Sequence, residues 1–362
     1  MLVSTLTRYF ARLFTVTTIT IFVSICLLIL LIDYIELMRR TAAIESASAM
    51  TVARTSLYRV PQIAERLMAS CIQIGTMVSY LTLSRRLELV VARASGISAW
   101  QFLFPAAAAS MILGVAATML FNPMSASLQE QAKRAEAAFF GDLPQGFHEA
   151  TGFWVNQVTS EGKAILNAAG SLDQGQRLTG ITVFRFDAND RFIERIEARE
   201  ATLEDGHWHL KGARSYAMND PIRSENIRLL KTNLTRSQVL ESFATPETVS
   251  FWQLPDYIAT SEKSGLAAAG YRLQYHRLIS RPFLFAATVL LAGAMSLRTF
   301  RFGGVHKMIL GGVAAGFLLY VLAKVTEDLG TAELMHPVVA AWLPIVVGGM
   351  VGIMGLLYQE DG

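Results

Sequence analysis

The chain has 362 residues, 52% of them hydrophobic and only 17% charged, with a formal net charge of +3. Soluble proteins carry about a quarter of their residues as charges, so this composition excludes an ordinary water-facing surface and asks for a lipid solvent. A charge of +3 is too small to imply nucleic acid as a partner, and only the placement of charge along the chain is informative.

From Leu13 to Ile32 the chain carries no charge. At 1.5 Å per residue, about 20 residues cross a hydrocarbon core of roughly 30 Å, so this run predicts a spanning helix. A cleaved signal peptide has a shorter apolar core, about 7 to 15 residues, followed by a small-residue cleavage site. Here the longer run ends in Asp33, Tyr34, Ile35 and Glu36, and a retained helix is expected. A second span, opened by Pro61, is uncharged from Leu67 to Leu81, and a third runs from about Gln101 to Phe121. Cys26 and Cys71 both fall in apolar runs, where each acts as a small hydrophobe, and no disulfide framework is implied.

Beyond residue 122 charges recur and period-two patterns replace long apolar runs. The segments 152–158, 163–169, 178–187 and 207–218 alternate and are rich in β-branched and aromatic residues, which predicts strands. Turn-forming Asn189-Asp190 and Asp205-Gly206 separate several of them, so a sandwich-like or jelly-roll β domain is expected. Apolar spans return at Pro282–Leu297, Met308–Ala323 and Pro337–Gln359. Gly312 and Gly316, and again Gly348 and Gly352, stand four apart on a helical face and allow close helix packing. The predicted architecture is an α-helical membrane protein of six transmembrane helices with a β domain inserted between helices 3 and 4. Its divisions are 1–122, 123–270 with flanking linkers, and 271–362.

Basic residues in short loops set orientation. Arg8 and Arg12 precede span one, Arg85, Arg86 and Arg93 lie between spans two and three, and Arg298, Arg301 and Lys307 lie between four and five. Six spans put all three groups on one side. The rule makes that side cytoplasmic, with both termini inside and the β domain outside. Arg39, Arg40, Arg54 and Arg59 then fall outside, against the rule, and ask for a specific explanation.

An enzyme finds little support: no H-E-x-x-H, G-x-S-x-G or P-loop G-x-x-x-x-G-K-[ST] is present. His207 and His209 alternate on a predicted strand, but two ligands without a carboxylate or cysteine cluster read as solvated histidines rather than a metal site. Two constellations carry more. In 84–98, Leu87, Val90, Val91 and Ala94 share a helical face while Arg86, Glu88 and Arg93 project elsewhere; such a short amphipathic helix lies on lipid or docks into another protein. The second is the outer basic group Arg39, Arg40, Lys133 and Arg134, whose cations suit a phosphorylated headgroup or serve as interfacial anchors by snorkelling.

The segments VPQIAERL (60–67), RLELVVARASGIS (86–98), TGFWV (151–155), KTNLT (231–235), SGLAAAGYRLQYHRLISRP (264–282), GGVAAGFLLYVL (311–322) and AAWLP (340–344), in this order, resemble the LptF/LptG family of lipopolysaccharide-export permeases, and its LptG branch more closely. The resemblance implies a periplasmic β-jelly-roll and a half-transporter without catalytic activity of its own in the bacterial inner membrane. It implies a sister permease, LptF, and a dimer of the ATPase LptB that binds ATP and magnesium, so that this chain needs no cofactor. It further implies lipopolysaccharide taken from the outer leaflet and passed to LptC and a periplasmic bridge.

By position, Glu88, with Arg86 and Arg93, falls in the family's coupling helix, Arg39 and Arg40 match basic residues that meet lipid A phosphates, and Arg134, beside Lys133, matches one beyond span three. Asp33 stands where some relatives carry a further cation. The competing readings are a lipoprotein-releasing or mechanotransmitting permease, which commonly has four spans, and a membrane-anchored sensor or scaffold.

Overall fold

The computed structural model describes residues 2–42, 48–140, 153–159, 162–172, 177–187, 191–204, 206–217, 223–232, 246–263, 268–302 and 305–360. The chain divides into two compact units. One comprises Met1–Phe139, Glu247–Leu254 and Ala269–Gly362, and the other Phe140–Pro246 and Pro255–Ala268.

The first unit is helical because hydrocarbon offers backbone N–H and C=O groups no partner, and a helix satisfies them within one segment. Its elements are α1 (Leu2–Thr41), α2 (Ala49–Arg85), the short α3 (Glu88–Ala94) and α4 (Ala99–Ala116). A π-helical turn (Ala117–Phe121) then leads into α5 (Asn122–Phe140). After the β strands and a helix α6 (Leu254–Lys263) come α7 (Ala269–Phe302), α8 (Val305–Thr331) and α9 (Pro337–Glu360). Among the described residues, six helices are long and apolar enough to cross a membrane, α4 through α5 counting as one.

The spans are longer than their uncharged stretches. α2 starts at a Ser48 cap whose hydroxyl accepts from the Thr51 N–H at 3.2 Å, so Pro61, expected to open the span, lies inside it. Pro282 likewise sits inside α7. The membrane unit also continues past residue 122, where composition placed the boundary, through α5 to Phe139.

A proline within a helix removes the donor to the carbonyl four residues earlier. For Pro282 that carbonyl belongs to Leu278, and the Thr118 hydroxyl donates to it from the neighbouring helix at 2.9 Å. For Pro123 it belongs to Met119, in the π-helical turn, and Trp252 Nε1 donates to it at 3.2 Å. Neighbouring side chains thus restore what the prolines take away.

The core joins α1, α2, α3, α4, α7 and α9 through Phe10, Phe14, Ile72, Tyr80, Leu83, Leu89, Phe102, Leu103, Phe285, Val289 and Leu356. Glycines set the closest approaches: a Cβ on Gly114 would stand 2.5 Å from Pro282 Cα, and one on Gly352 2.8 Å from the Leu291 backbone nitrogen. Gly312 and Gly316 serve differently, making room for the Met77 and Gln73 side chains. Gln73 Nε2 donates to the Gly312 carbonyl at 2.6 Å, which ties α8 to α2. The apolar windows of α1 and α8 are only 6% and 11% buried, against 61% for α7, so both leave broad apolar faces open.

Among its described residues the second unit holds six strands, β1 (Phe153–Thr159), β2 (Gly162–Leu172), β3 (Arg177–Phe186), β4 (Phe192–Glu204), β5 (His207–Ala217) and β6 (Arg223–Lys231). They form one antiparallel sheet in sequential order. The strands read from alternation correspond to β1, β2, β3 and β5. Of the expected turns, Gly206 is in the left-handed region at φ +77°, as a tight turn requires, whereas Asn189-Asp190 lies outside the described residues.

One face of the sheet is a core of its own, with Leu166, Leu178, Val183, Ile196, Trp208 and Leu210 fully buried. On β4 the buried positions run 194, 196, 198 and then 201, 203. The pairing skips Arg199 on both sides, opposite Gly180 (φ +60°) and Gly212 (φ +66°). The register is the same on either side of this gap; β3 shifts against β4 instead between Arg185 and Phe186. On the same face Glu194 is held by Arg185 of β3 and Arg228 of β6, each at 2.7 Å.

Because Gly114 lies against the Pro282 backbone, Gly114→Val is expected to lower stability by about 1–3 kcal/mol through overpacking. Gly311→Ala, whose new atom meets nothing nearer than 3.8 Å, is expected to leave the thermal midpoint in detergent unchanged.

Candidate functional site

A cavity of about 290 Å³ opens between α2, α7, α8 and α9 at the end of the bundle from which the β strands are inserted. Its inner wall is apolar, with Leu284, Phe285, Leu319 and Pro344, and includes Gln73 and Thr288. Its rim is charged. Arg281 of α7 donates to Glu65 of α2 at 2.7 Å, the two side chains being 16% and 8% exposed. Arg277 meets Glu327 of α8 at 2.7 Å, Lys324 meets Asp328 at 3.0 Å, and Arg66 pairs with Glu247.

Four cations and three carboxylates line the rim, and the fourth carboxylate, Asp328, pairs with Lys324 from outside the lining. Each ion is neutralised locally, as charges in a low-dielectric bundle must be. The cavity is therefore amphipathic but only weakly positive, and an anionic group entering it has to compete with carboxylates for the guanidinium groups.

At the opposite end of α2 lies α3, which is shorter than the 84–98 stretch expected and oriented by different residues. Leu87 is the turn before it, in the left-handed region at φ +58°, which costs a non-glycine residue roughly 1–2 kcal/mol. Gly96 at φ +84° closes the other end, and the Ile97 N–H returns to the Ala92 carbonyl at 3.1 Å. Leu89 and Ala92 are the residues that seat α3 in the core. Val90, Val91 and Leu87 face outward, Val91 being 68% exposed. The face grouped from the sequence is thus the one left open.

Arg93 turns inward, its guanidinium 5.9 Å from the centre of the Phe102 ring, so it braces α3 rather than projecting from it. Glu88 is half-buried, 3.9 Å from Arg86.

Arg39, Arg40 and Lys133 do not line the cavity. Arg39 and Arg40, in the last turn of α1, both pair with Glu36 at 2.7 Å and remain 76% and 61% exposed. Arg59 of α2 bridges Asp33 of α1 at 3.2 Å and Glu136 of α5 at 3.1 Å. The position at which the family resemblance expects a cation in some relatives is thus an acid matched by an arginine on the next helix. Lys133 is exposed on α5, and the Arg134 side chain lies outside the described residues.

Sequence reasoning missed Glu65, Asn122, Arg277, Arg281, Lys324 and Glu327 as a group. The signal was present: ionisable residues inside otherwise apolar spans mark functional sites by default. Glu65, Arg277 and Arg281 even fall within the segments that carry the family resemblance.

Among the described residues, six apolar spans, four of them lining an amphipathic cavity, together with an inserted β unit define a multi-pass membrane protein of permease plan. The profile of the family described as "Lipopolysaccharide export system permease LptF/LptG" matches residues 8–358, and the chain belongs to that family. It is similar to the lipopolysaccharide export system permease protein LptG of Escherichia coli K12, with 24% identity over 349 residues covering 94% of each chain. It is also similar to LptG of Haemophilus influenzae, with 22% identity over 306 residues covering 81% of this chain and 79% of the relative.

Leu89→Ala is expected to destabilise the protein by about 2–5 kcal/mol, because it empties a filled position under α3. Val91→Ser, on the open face, is expected to change stability by no more than about 0.5 kcal/mol. Chemical denaturation of the two variants in the same detergent checks both.

Proposed function

We propose that this chain is the LptG-type permease subunit of an ATP-driven lipopolysaccharide exporter in the inner membrane, and that it has no catalytic activity of its own. The family match along nearly the whole chain carries the reading. The sister permease LptF covers the open apolar faces of α1 and α8, which a lone chain leaves to lipid. An LptB dimer, which binds ATP and magnesium, docks on the open face of α3; the absence of a P-loop from the sequence agrees with that division of labour.

With α3 and both termini cytoplasmic, the β unit is periplasmic and the amphipathic cavity lies at the depth of the outer leaflet. Lipopolysaccharide enters from that leaflet, its phosphates first meeting the exposed Arg39 and Arg40, with Lys133 and Arg134 nearby. It then passes to LptC and the periplasmic bridge. Six spanning helices count against the lipoprotein-releasing or mechanotransmitting plan, which commonly has four.

The test is reconstitution in liposomes with the sister permease and the ATPase. ATP addition is expected to release lipopolysaccharide to a periplasmic acceptor, and an assembled complex that releases none overturns the reading. Val91→Asp places a charge on the docking face without touching the core, and is expected to weaken ATPase association at least about tenfold, roughly 1.4 kcal/mol. It is a cleaner probe than charge reversal at Glu88, which has an internal contact to Arg86. Replacing Arg39 and Arg40 together by Glu is expected to reduce crosslinking to lipopolysaccharide while assembly persists, because carboxylates repel phosphate. Undiminished crosslinking returns both arginines to interfacial anchoring.

A further inference from the structure

α2 runs without interruption from Ala49 to Arg85. From Arg85, beside α3, back to Glu65 is a rise of about 30 Å, the thickness of the hydrocarbon core. One end of this rigid element therefore adjoins the docking helix, while Glu65 and Arg66, near its midpoint and a membrane thickness away, hold different partners. Glu65 Oε1 accepts from Arg281 Nη1 at 2.7 Å and from Asn122 Nδ2 at 2.9 Å. Arg66 pairs with Glu247.

Asn122, 1% exposed, directly follows the π-helical turn, and its Oδ1 accepts from the Phe251 N–H at 2.9 Å. Trp252 caps Met119 of the same turn, and the Phe251 ring stacks on Tyr275 at 5.7 Å and 10°.

Glu247–Leu254, the stretch that follows the β strands in sequence, is thus held on the helical unit at four points. Two of them, at Glu247 and Phe251, trace back to consecutive residues of α2. Position 122 requires one side chain that donates to a carboxylate and accepts from a backbone N–H together. A carboxamide does both, whereas an ionised Asp cannot donate and an aliphatic residue can do neither. A π-helical turn marks a place where helix geometry is locally irregular, frequently at functional sites.

We propose that the Glu65–Arg85 half of α2 acts as a connecting rod and that Asn122, bound to Glu65, is the positioning residue where that half begins. Displacement of α3 by the partner ATPase is delivered along α2, through Glu65 and Asn122, to Glu247–Leu254. The inference rests on the reading that α3 docks the ATPase.

The experiment compares wild-type complex in nanodiscs, with sister permease and ATPase, with and without ATP trapped by vanadate. Hydrogen exchange is followed across 247–254, together with ATP hydrolysis and lipopolysaccharide release. In wild type, trapping is expected to change exchange at Phe251 and Trp252 by at least about threefold, as a shift in local opening. In Asn122→Leu, ATPase association and hydrolysis are expected to persist, the nucleotide-dependent change to vanish, and lipid released per ATP to fall about tenfold, within the usual range of coupling energies. Asn122→Gln, which keeps the carboxamide, is expected to recover part of the coupling.

If Asn122→Leu fails to assemble, Arg66→Gln with Glu247→Gln breaks the exposed contact instead and is expected to lower release per ATP with hydrolysis maintained. Unchanged exchange at Phe251 in a wild-type complex that hydrolyses ATP overturns the proposal, as does full coupling in Asn122→Leu or, where that variant does not assemble, in the double variant. A wild-type chain that does not bind the ATPase at all overturns the functional reading first, and the proposal with it.

Discussion

Hydrocarbon offers no hydrogen bonds, and the polar groups that bridge the helices answer to that fact. A lone helix meets it for the backbone; a helix broken by proline does not, and each repair draws on a neighbour. The Leu278 carbonyl accepts a hydrogen bond from the Thr118 hydroxyl, and the Met119 carbonyl accepts one from the Trp252 indole N–H. Gln73 obeys the same rule, its amide resting on the Gly312 carbonyl in a notch that only glycine leaves open. The helices are thus bound to each other by what their own backbones lack as much as by apolar contact.

Charge follows the same rule. The ionisable residues near the cavity occur as pairs between helices, Arg281 with Glu65 and Arg277 with Glu327. Arg59, between Asp33 and Glu136, fixes α1, α2 and α5 in the same way. Removing one partner of the buried Arg281–Glu65 pair costs about 3–5 kcal/mol, whereas replacing both by apolar groups is often neutral. Their retention as ions therefore fits a site that exchanges partners better than one built only for stability.

The spanning helices were legible because an uncharged run of about 20 residues is at home as a helix in lipid and in few places besides. Their ends were not, since flanking polar residues continue the helix beyond the lipid. Strands β1, β2, β3 and β5 showed themselves by alternation. β4 was hidden because charges interrupt its pattern and its phase slips at Arg199, and β6 because it offers Ile227 and Leu229 outward rather than inward. Leu87, Val90 and Val91, grouped on one face from the sequence, are the residues that α3 leaves open, whereas its seat in the core on Leu89 and Ala92 was not legible from so short an element. The cavity pairs were illegible because residues such as Glu65 and Arg281 lie 216 positions apart and meet only once the bundle closes.

The hydrogen bond from Thr118 to Leu278 spans 160 positions of sequence. Translation proceeds at about 5–20 residues per second, so α4 is made roughly 8–30 seconds before its partner exists. The whole β insertion is synthesised in that interval. Biogenesis is therefore ordered by the proline at 282: the first three spans wait with an unmet docking groove at Gly114, and the arrival of α7 closes it. A change that delays α7 lengthens the time for which the half-built bundle depends on lipid and chaperones, even if the finished protein is fully stable.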